Sequence, residues 1–534
     1  MKWLKMTTIL CCCGLLLSGS ACHGREKQPG DEIVRYSIAA EPDTLDPQIA
    51  DTNAQMLVTN LFEGLVRCDA DGQPAPGVAK SWSISADGTV YTFFLREEAC
   101  WSNGEPVTAE DFAFGIQRTL DPLTGSDEAF LLYAIQNAEA IHQGKMPLSS
   151  LGVYAAEHRL IILLNEPDPH FLLSLTKPAA MPCQKDFFTT SSGRYGREAD
   201  QLICNGAFCL NGTGWIHGKA LYLRRNPFYH GEHTPLSAGI NITIGTTIDN
   251  ACQAIQDGMT DCCALSRNER KQAEKNGLSL VTVGETVWGI AFNTQAEGLQ
   301  HESIRRALLS SLDRTFILST LPYGCQATED IVPDTFRYND HSYRAAIPDS
   351  LCLPYHENAK ADWQKAMQQS QLTAPPKLTI LCPDDAATQA IVNNIMQTWN
   401  DLTGSYINKR PLPADELQQS VLNGNYQVIL LPLTAEKDHP EALLSMFSSD
   451  SRCQIGRLSD AYYDDLVHTI QSADGQLLSD GMLRAEKYLN DKGIFYPLYT
   501  EHRYYVHSPS VKGILFRADD SGPDFFFAEK TPST

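Results

Sequence analysis

The chain has 534 residues, 43% of them hydrophobic and 20% charged, a globular balance rather than a disordered one. A net charge of −22 repels phosphate backbones and argues against nucleic acid as a partner. Past the first thirty residues no apolar run reaches the roughly 18 residues of a membrane span, and the length predicts two or three domains with ample core.

Lys2 and Lys5 precede an apolar run from Met6 to Leu17, followed by Ser18, Gly19, Ser20, Ala21 and Cys22. A basic start, a short apolar segment and small residues are the layout of a secretory signal. Residues 1–21 are therefore read as a signal peptide, and 22–32 as a polar tether. Cys22 directly after the small residues resembles a bacterial lipoprotein signal, which implies lipidation of its thiol and membrane anchoring. Gly19 departs from that pattern, which usually has an aliphatic residue there.

Ile33 to Ala39 reads as a strand, with a turn at Glu41-Pro42-Asp43. Asp51 to Leu65 carries Met56, Leu57, Asn60 and Leu61 at helical spacing. Ala79–Ile84 and Thr89–Leu95 flank Ala86-Asp87-Gly88 as a hairpin. Thr108 is a candidate N-cap for a helix carrying Phe112 and Ile116, with acids in its first turn. Leu160–Leu164 has strand length. A glycine-rich turn separates Ala207-Phe208 from Leu221–Leu223. Trp288–Asn293 reads as a strand, and Ile304, Ala307, Leu308 and Leu312 share a helical face. Lys377–Leu381 and Tyr426–Leu431 read as strands around a helix marked by Ile391, Ile395, Trp399 and Leu402. Near the end, Phe495–Tyr499 and Arg503–Val506 read as two strands. The alternation predicts a mixed α/β architecture.

The 16 cysteines are too sparse for a disulfide scaffold in a chain this long. Cys204 and Cys209 form one group; Cys252, Cys262 and Cys263 form another. Their spacing does not repeat as zinc ligands would. Structural disulfides and buried thiols both stay open.

Five ordered segments carry a family resemblance: Ala40-Glu41-Pro42-Asp43-Thr44-Leu45-Asp46-Pro47; Asn60-Leu61-Phe62-Glu63-Gly64-Leu65; Pro76 to Trp82 with Tyr91 to Arg96; and Trp101-Ser102-Asn103-Gly104-Glu105-Pro106 through Phe112. Asn205-Gly206-Ala207-Phe208 with Asn226-Pro227-Phe228-Tyr229, and Arg305-Arg306-Ala307-Leu308 with Leu312-Asp313-Arg314, extend it. The chain closely resembles the oligopeptide-binding lipoproteins of ABC peptide importers, solute-binding protein family 5, over about residues 33–515.

The resemblance implies an α/β, three-domain fold of the periplasmic binding protein type II kind, with mixed sheets and two lobes around a ligand cleft. Domain I is expected from 33–60, 186–288 and 503–534, domain II from 61–185 and domain III from 289–502. It implies capture of oligopeptides in extended form, with main-chain pairing that ignores side chains. Delivery to ABC permease subunits, a monomer and a periplasmic or cell-surface location follow. No cofactor, metal or catalytic group is implied.

The family's carboxylate for the peptide ammonium matches Glu436, or Asp438 if the register shifts by two. A buried ammonium needs such a countercharge. Leu433, Thr434 and Ala435 lead into it. Leu433 stands where a tryptophan is common, and Leu430 where some members carry a carboxylate-gripping arginine. Both departures leave room for unusual ligands, such as peptidoglycan-derived peptides. Ile49, Ala50, Asp51 and Thr52 are expected on the opposite wall, where Asp51 or Thr52 also suits a helix cap. Tyr133 and Trp288 match aromatic cleft positions; Trp82 and Trp101 read as packing.

A peptide-binding chaperone or surface adhesin on the same fold is one rival reading. An exported hydrolase is another, but no Gly-x-Ser-x-Gly or His-Glu-x-x-His is present. His230-Gly231-Glu232-His233 reads as a surface turn.

Overall fold

The computed structural model describes residues 32–531, except 39, 70–71, 169, 246–249, 266–268, 322–323, 334–336, 339–340, 345–346, 348–349, 436–440, 452, 472–474 and 518–521. The signal and tether up to residue 31 lie outside the described residues, and with them Cys22.

The large sets of buried side chains divide the molecule into two lobes, with a small cluster of Ala251, Ile255, Cys263 and Val506 apart from them. One large set runs from Val34 to Cys262 and resumes at Val511, Phe525, Phe526 and Ala528. The other set, between Val287 and Tyr499, covers both faces of one sheet.

The first lobe holds two four-stranded sheets. In one, Ile33–Ile38 runs parallel to Gly239–Ile244, which pairs with the hairpin Phe208–Ile216 and Ala220–Arg225. In the other, Ala79–Ile84, Val90–Leu95, Arg159–Leu163 and Val153–Ala156 are all antiparallel. Tyr91, Phe93 and Leu95 alternate into the core, as one buried face of a strand requires. The helix Ala109–Leu120 starts at a capping box: Thr108 Oγ accepts from the Asp111 N–H and Asp111 accepts from the Thr108 N–H. Its Gly115 passes so close to the Met181 carbonyl that a Cβ would sit 2.2 Å from that oxygen. The C-terminal segment returns to this lobe, where Lys530 donates to buried Asp261 at 2.7 Å and Arg35 grips the same carboxylate at 2.9 Å.

The second lobe is built on a seven-stranded mixed sheet, ordered Cys262–Leu265, Phe495–His507, Ser279–Phe292, Val428–Ala435, Thr379–Pro383 and Asn408–Leu412, with Gln326–Ala327 beside Phe495–His507. Ile429, Leu431 and Leu433 enter one core; Val428 and Leu430 enter the other. That is why this strand reads as a continuous apolar run. The helix Ala386–Thr403 covers one face, opened by Asp385 and closed by Gly404 at φ +66°, with Trp399 against Phe292.

Two long strands of this sheet extend beyond the second lobe's core to a small separate cluster that includes Val506, with Leu280 packed against it. Ser279–Phe292 and Phe495–His507 pair antiparallel from Ser279 opposite His507 to Ala291 opposite Phe495, with irregularities at Val283/Glu285 and Trp288/Gly289. The sequence boundaries at 288/289 and 502/503 fall inside these strands. The split expected between Tyr499 and Arg503 is absent: the polar residues there stay in the ladder as it leaves the second lobe's core. The helix expected over Asp51–Leu65 ends at Leu61, because Phe62 turns extended after its N–H closes on the Val58 carbonyl. Cys204, Cys209, Cys252, Cys262 and Cys263 are all buried thiols without a disulfide.

Candidate functional site

The candidate residues fall into two groups, one per lobe. In the first lobe, Asp46 opens the 3-10 turn Pro47–Ile49 by accepting from the Gln48 N–H. Its carboxylate also takes Arg118 at 2.7 and 3.0 Å, and Arg118 donates to Gln48 Oε1 at 2.6 Å. The Gln48 amide donates to the Met181 carbonyl. This buried network fixes the chain below Ile49 and Ala50, which are half-buried. Asp51 is exposed and caps the helix Thr52–Leu61, accepting from the Ala54 N–H at 2.8 Å. Thr52 is the first residue of that helix. Gln55, one turn on, donates to Glu128 at 2.5 Å. That contact joins the helix to the turn Ala129–Leu132, which Tyr133 ends. The Gln55–Glu128 contact thus links the segment 49–52 to the turn that ends at Tyr133, whose ring lies 5.9 Å from that of His142.

In the second lobe, the end of Val428–Ala435 is held by Ser279–Phe292: Leu433 opposite Val287, Thr434 opposite Thr286, Ala435 opposite Glu285. Leu433 is fully buried in the core, so its side chain packs rather than lines a surface. The Thr434 and Thr286 hydroxyls meet at 3.0 Å. Trp288 is half-buried, stacks on Tyr499 at 5.9 Å and 11°, and donates its indole N–H to Glu501 at 3.0 Å. Glu436 and Asp438 lie outside the described residues, immediately beyond Ala435.

Among the described residues the opposite side of Val428–Ala435 is paired only at its beginning. Thr379–Pro383 pairs with it only at Ile380 opposite Val428 and Leu381 opposite Ile429. Among the described residues no strand pairs that side of Leu430–Ala435, which leaves an edge able to accept an added chain. Nothing in the local sequence marks Glu285, Thr286 or Glu501 as part of this region. A polar residue in a strand pattern reads as solvent-facing, and their position shows only once the two long strands are paired.

Glu232 of the His230–His233 turn approaches Arg96 at 3.7 Å. A cavity beside Glu63, Arg67 and Asp524 measures about 40 Å³, which suits water and not a peptide.

Residues 73–453 match the family described as bacterial extracellular solute-binding proteins, family 5 Middle. The chain is 39% identical to the periplasmic oligopeptide-binding protein OppA of Escherichia coli over 89% of this chain and 87% of that one. It is 25% identical to the dipeptide-binding protein of Lactococcus lactis, covering 97% of each. The substrate-binding domain of an oligopeptide ABC transporter from Bacillus anthracis superposes with a TM-score of 0.76 at 26% identity, covering 95% of this chain and all of that one. No described helix is long and apolar enough to cross a membrane. The three comparisons agree with the two-lobed mixed α/β architecture, and the chain belongs to the bacterial extracellular solute-binding proteins, family 5.

Proposed function

We propose that this protein is the peptide-binding component of an ABC importer and captures oligopeptides in extended form in the crevice between its lobes. The observation that carries this reading is the open edge at Leu430–Ala435. An extended peptide can pair its main chain there, so affinity does not depend on its sequence. Glu436 holds the ligand's ammonium, with Asp438 as the alternative. Ile49, Ala50, Asp51, Thr52 and Tyr133 form the facing wall, and Thr434, Ala435 and Trp288 the near one.

Domains I and II form the first lobe and domain III closes on them. The ligand stabilises the closed form, which docks on the permease as a monomer. The protein binds and releases; it does not cleave. Export follows the N-terminal signal, and a multiply acylated Cys22 anchors the chain. Peptidoglycan-derived peptides are within the ligand class, although the side chains of Leu430 and Leu433 are both buried in the core and do not line the crevice.

Mass spectrometry of ligand released from the purified protein, with titration of free and N-acetylated peptides, tests the reading. Peptides are expected to co-purify intact and to raise the unfolding temperature. Glu436→Ala is expected to weaken free peptides by roughly 2–5 kcal/mol, because it strands a desolvated ammonium. Equal affinity of the wild type for acetylated and free peptides overturns the role of Glu436; failure to bind any peptide overturns the function.

A further inference from the structure

We propose that Pro432 confines the donors of the peptide-binding edge to one, the Thr434 N–H, so that dipeptides are held there as firmly as longer chains. The inference rests on the peptide-binding reading above. It starts from which backbone groups of Val428–Ala435 face away from Ser279–Phe292. The Asn293 N–H donates to the Gln427 carbonyl at 2.9 Å, one step before the pair of Val428 with Phe292. Bonded and non-bonded pairs alternate along an antiparallel ladder. Odd-numbered residues from Gln427 to Ala435 therefore turn their N–H and C=O groups toward Ser279–Phe292, and even-numbered residues from Val428 to Thr434 turn theirs away.

Two further observations agree. The Thr286 and Thr434 hydroxyls meet at 3.0 Å, as the closer approach of a non-bonded pair allows. Pro432 stands opposite Trp288 in an unbroken register and is exposed. A proline has no N–H to give, so a sheet admits it where that missing group faces an edge.

The outward groups can now be counted. The ladder with Thr379–Pro383 bridges Val428 and Ile429, and its last bond takes the Leu430 N–H. The next bond would need an N–H from residue 383, which is also a proline. Among the described residues this leaves the carbonyls of Leu430 and Pro432 and both groups of Thr434. Three acceptors stand beside one donor.

A ligand residue paired with a strand gives one N–H and takes another. At Thr434 both bonds form. Two residues along, a ligand N–H meets the Pro432 carbonyl, but a ligand carbonyl meets the proline ring. The direction of the ligand does not matter, because the missing donor belongs to the protein. A dipeptide seated at Thr434 stops short of the gap, and a tripeptide is the shortest ligand that faces both residues. Its extra bond and its stranded carbonyl are of comparable size and opposite sign. Added length therefore brings no gain from this edge.

The test is calorimetric titration of the full mature protein with alanine peptides of two to six residues. Pro432→Ala restores the donor. It is expected to tighten peptides above a threshold of at least three residues by about fivefold and to leave dialanine unchanged. Pro432→Val supplies the same N–H on a strand-favouring residue and is expected to give the same length dependence. Circular dichroism and unfolding temperature check that both variants fold. In pentaalanine with its amides replaced by esters one at a time, a single ester, the one that weakens the newly bonded carbonyl, is expected to abolish the gain.

An equal gain for dialanine and the longer peptides, or no gain in either variant, overturns the proposal while leaving peptide binding intact. A gain that no single ester abolishes overturns it too, since the added N–H is then not the cause. A wild type that binds none of the peptides removes the peptide-binding reading itself and this inference with it.

Discussion

Arg118 and Asp46, 72 residues apart in sequence, form a buried ion pair at 2.7 Å that fixes the entrance to one wall of the proposed crevice. Arg118 also lies 3.8 Å from the Phe188 ring centroid and donates to Gln48. Burial works against its charge, but Asp46 and Cys183 outweigh that and hold the guanidinium protonated beyond its ordinary range. Removing one partner of such a pair leaves the other charge stranded. Arg118→Ala is expected to cost about 3–5 kcal/mol by denaturant unfolding. The double change Arg118→Met with Asp46→Leu is expected to recover most of that loss, since it strands no charge.

The capping box at Thr108 gives a smaller, local effect. Thr108→Ala is expected to destabilise by about 1 kcal/mol, because it frees the Asp111 N–H. Thr108→Ser retains the acceptor and should restore stability. Comparison of midpoints in urea separates the two.

His217 sits between two carboxylates, with Glu41 at 2.8 Å and Glu198 at 3.0 Å. Hydrogen bonding to Glu198 leads in raising its pKa above the ordinary 6.5; burial opposes this, and hydrogen bonding to Glu41 adds to the rise. A raised folded-state value means the charged form is favoured by folding. The contribution is fully present below the ordinary value and fades as pH climbs through the raised one. His217 and Glu198 are exposed and Glu41 is half-buried, so solvent screens the pairing and the stability effect is small. NMR titration of the His217 ring should show the upward displacement. Glu198→Gln should bring it back toward 6.5, and an unmoved midpoint in that variant contradicts the pairing.

Thiol chemistry gives a third kind of measurement. Burial pushes Cys209 up to about 11, and burial with nearby acidic groups pushes Cys263 up to about 12. Cys204 is raised further still, by burial and by Cys209 beside it. These thiols are expected to resist an aromatic disulfide reagent near neutral pH in the native protein and to react on unfolding. Prior reduction should not increase the denatured count, whereas a Cys204–Cys209 disulfide in the exported protein would raise it by two.

Much of the architecture was legible from local pattern. The cap at Thr108, the hairpin around Ala86-Asp87-Gly88 and the amphipathic helix carrying Ile391, Ile395 and Trp399 depend on neighbours in sequence, so their signals survive without the fold. The cap at Asp51 is of the same kind. The two long strands were not legible at full length. Ser279–Phe292 shows its apolar half near Trp288, while its first half lies outside both large cores. Phe495–His507 reads as two strands because Thr500 to Arg503 interrupt the apolar run where the sheet leaves the second lobe's core. The partnership of Glu501 with Trp288 depends on that long-range pairing and has no local signature.

The same pair of strands carries a topological consequence. Residues 293–494 leave and return through adjacent positions, since Ala291 stands opposite Phe495. The first core includes no residue between Cys262 and Val511. The larger part of the second lobe is thus a cassette spliced into a body that completes its own interior. Its ends already lie side by side, so exchanging that cassette between relatives, or opening new termini within it, asks for no rebuilding of the recipient.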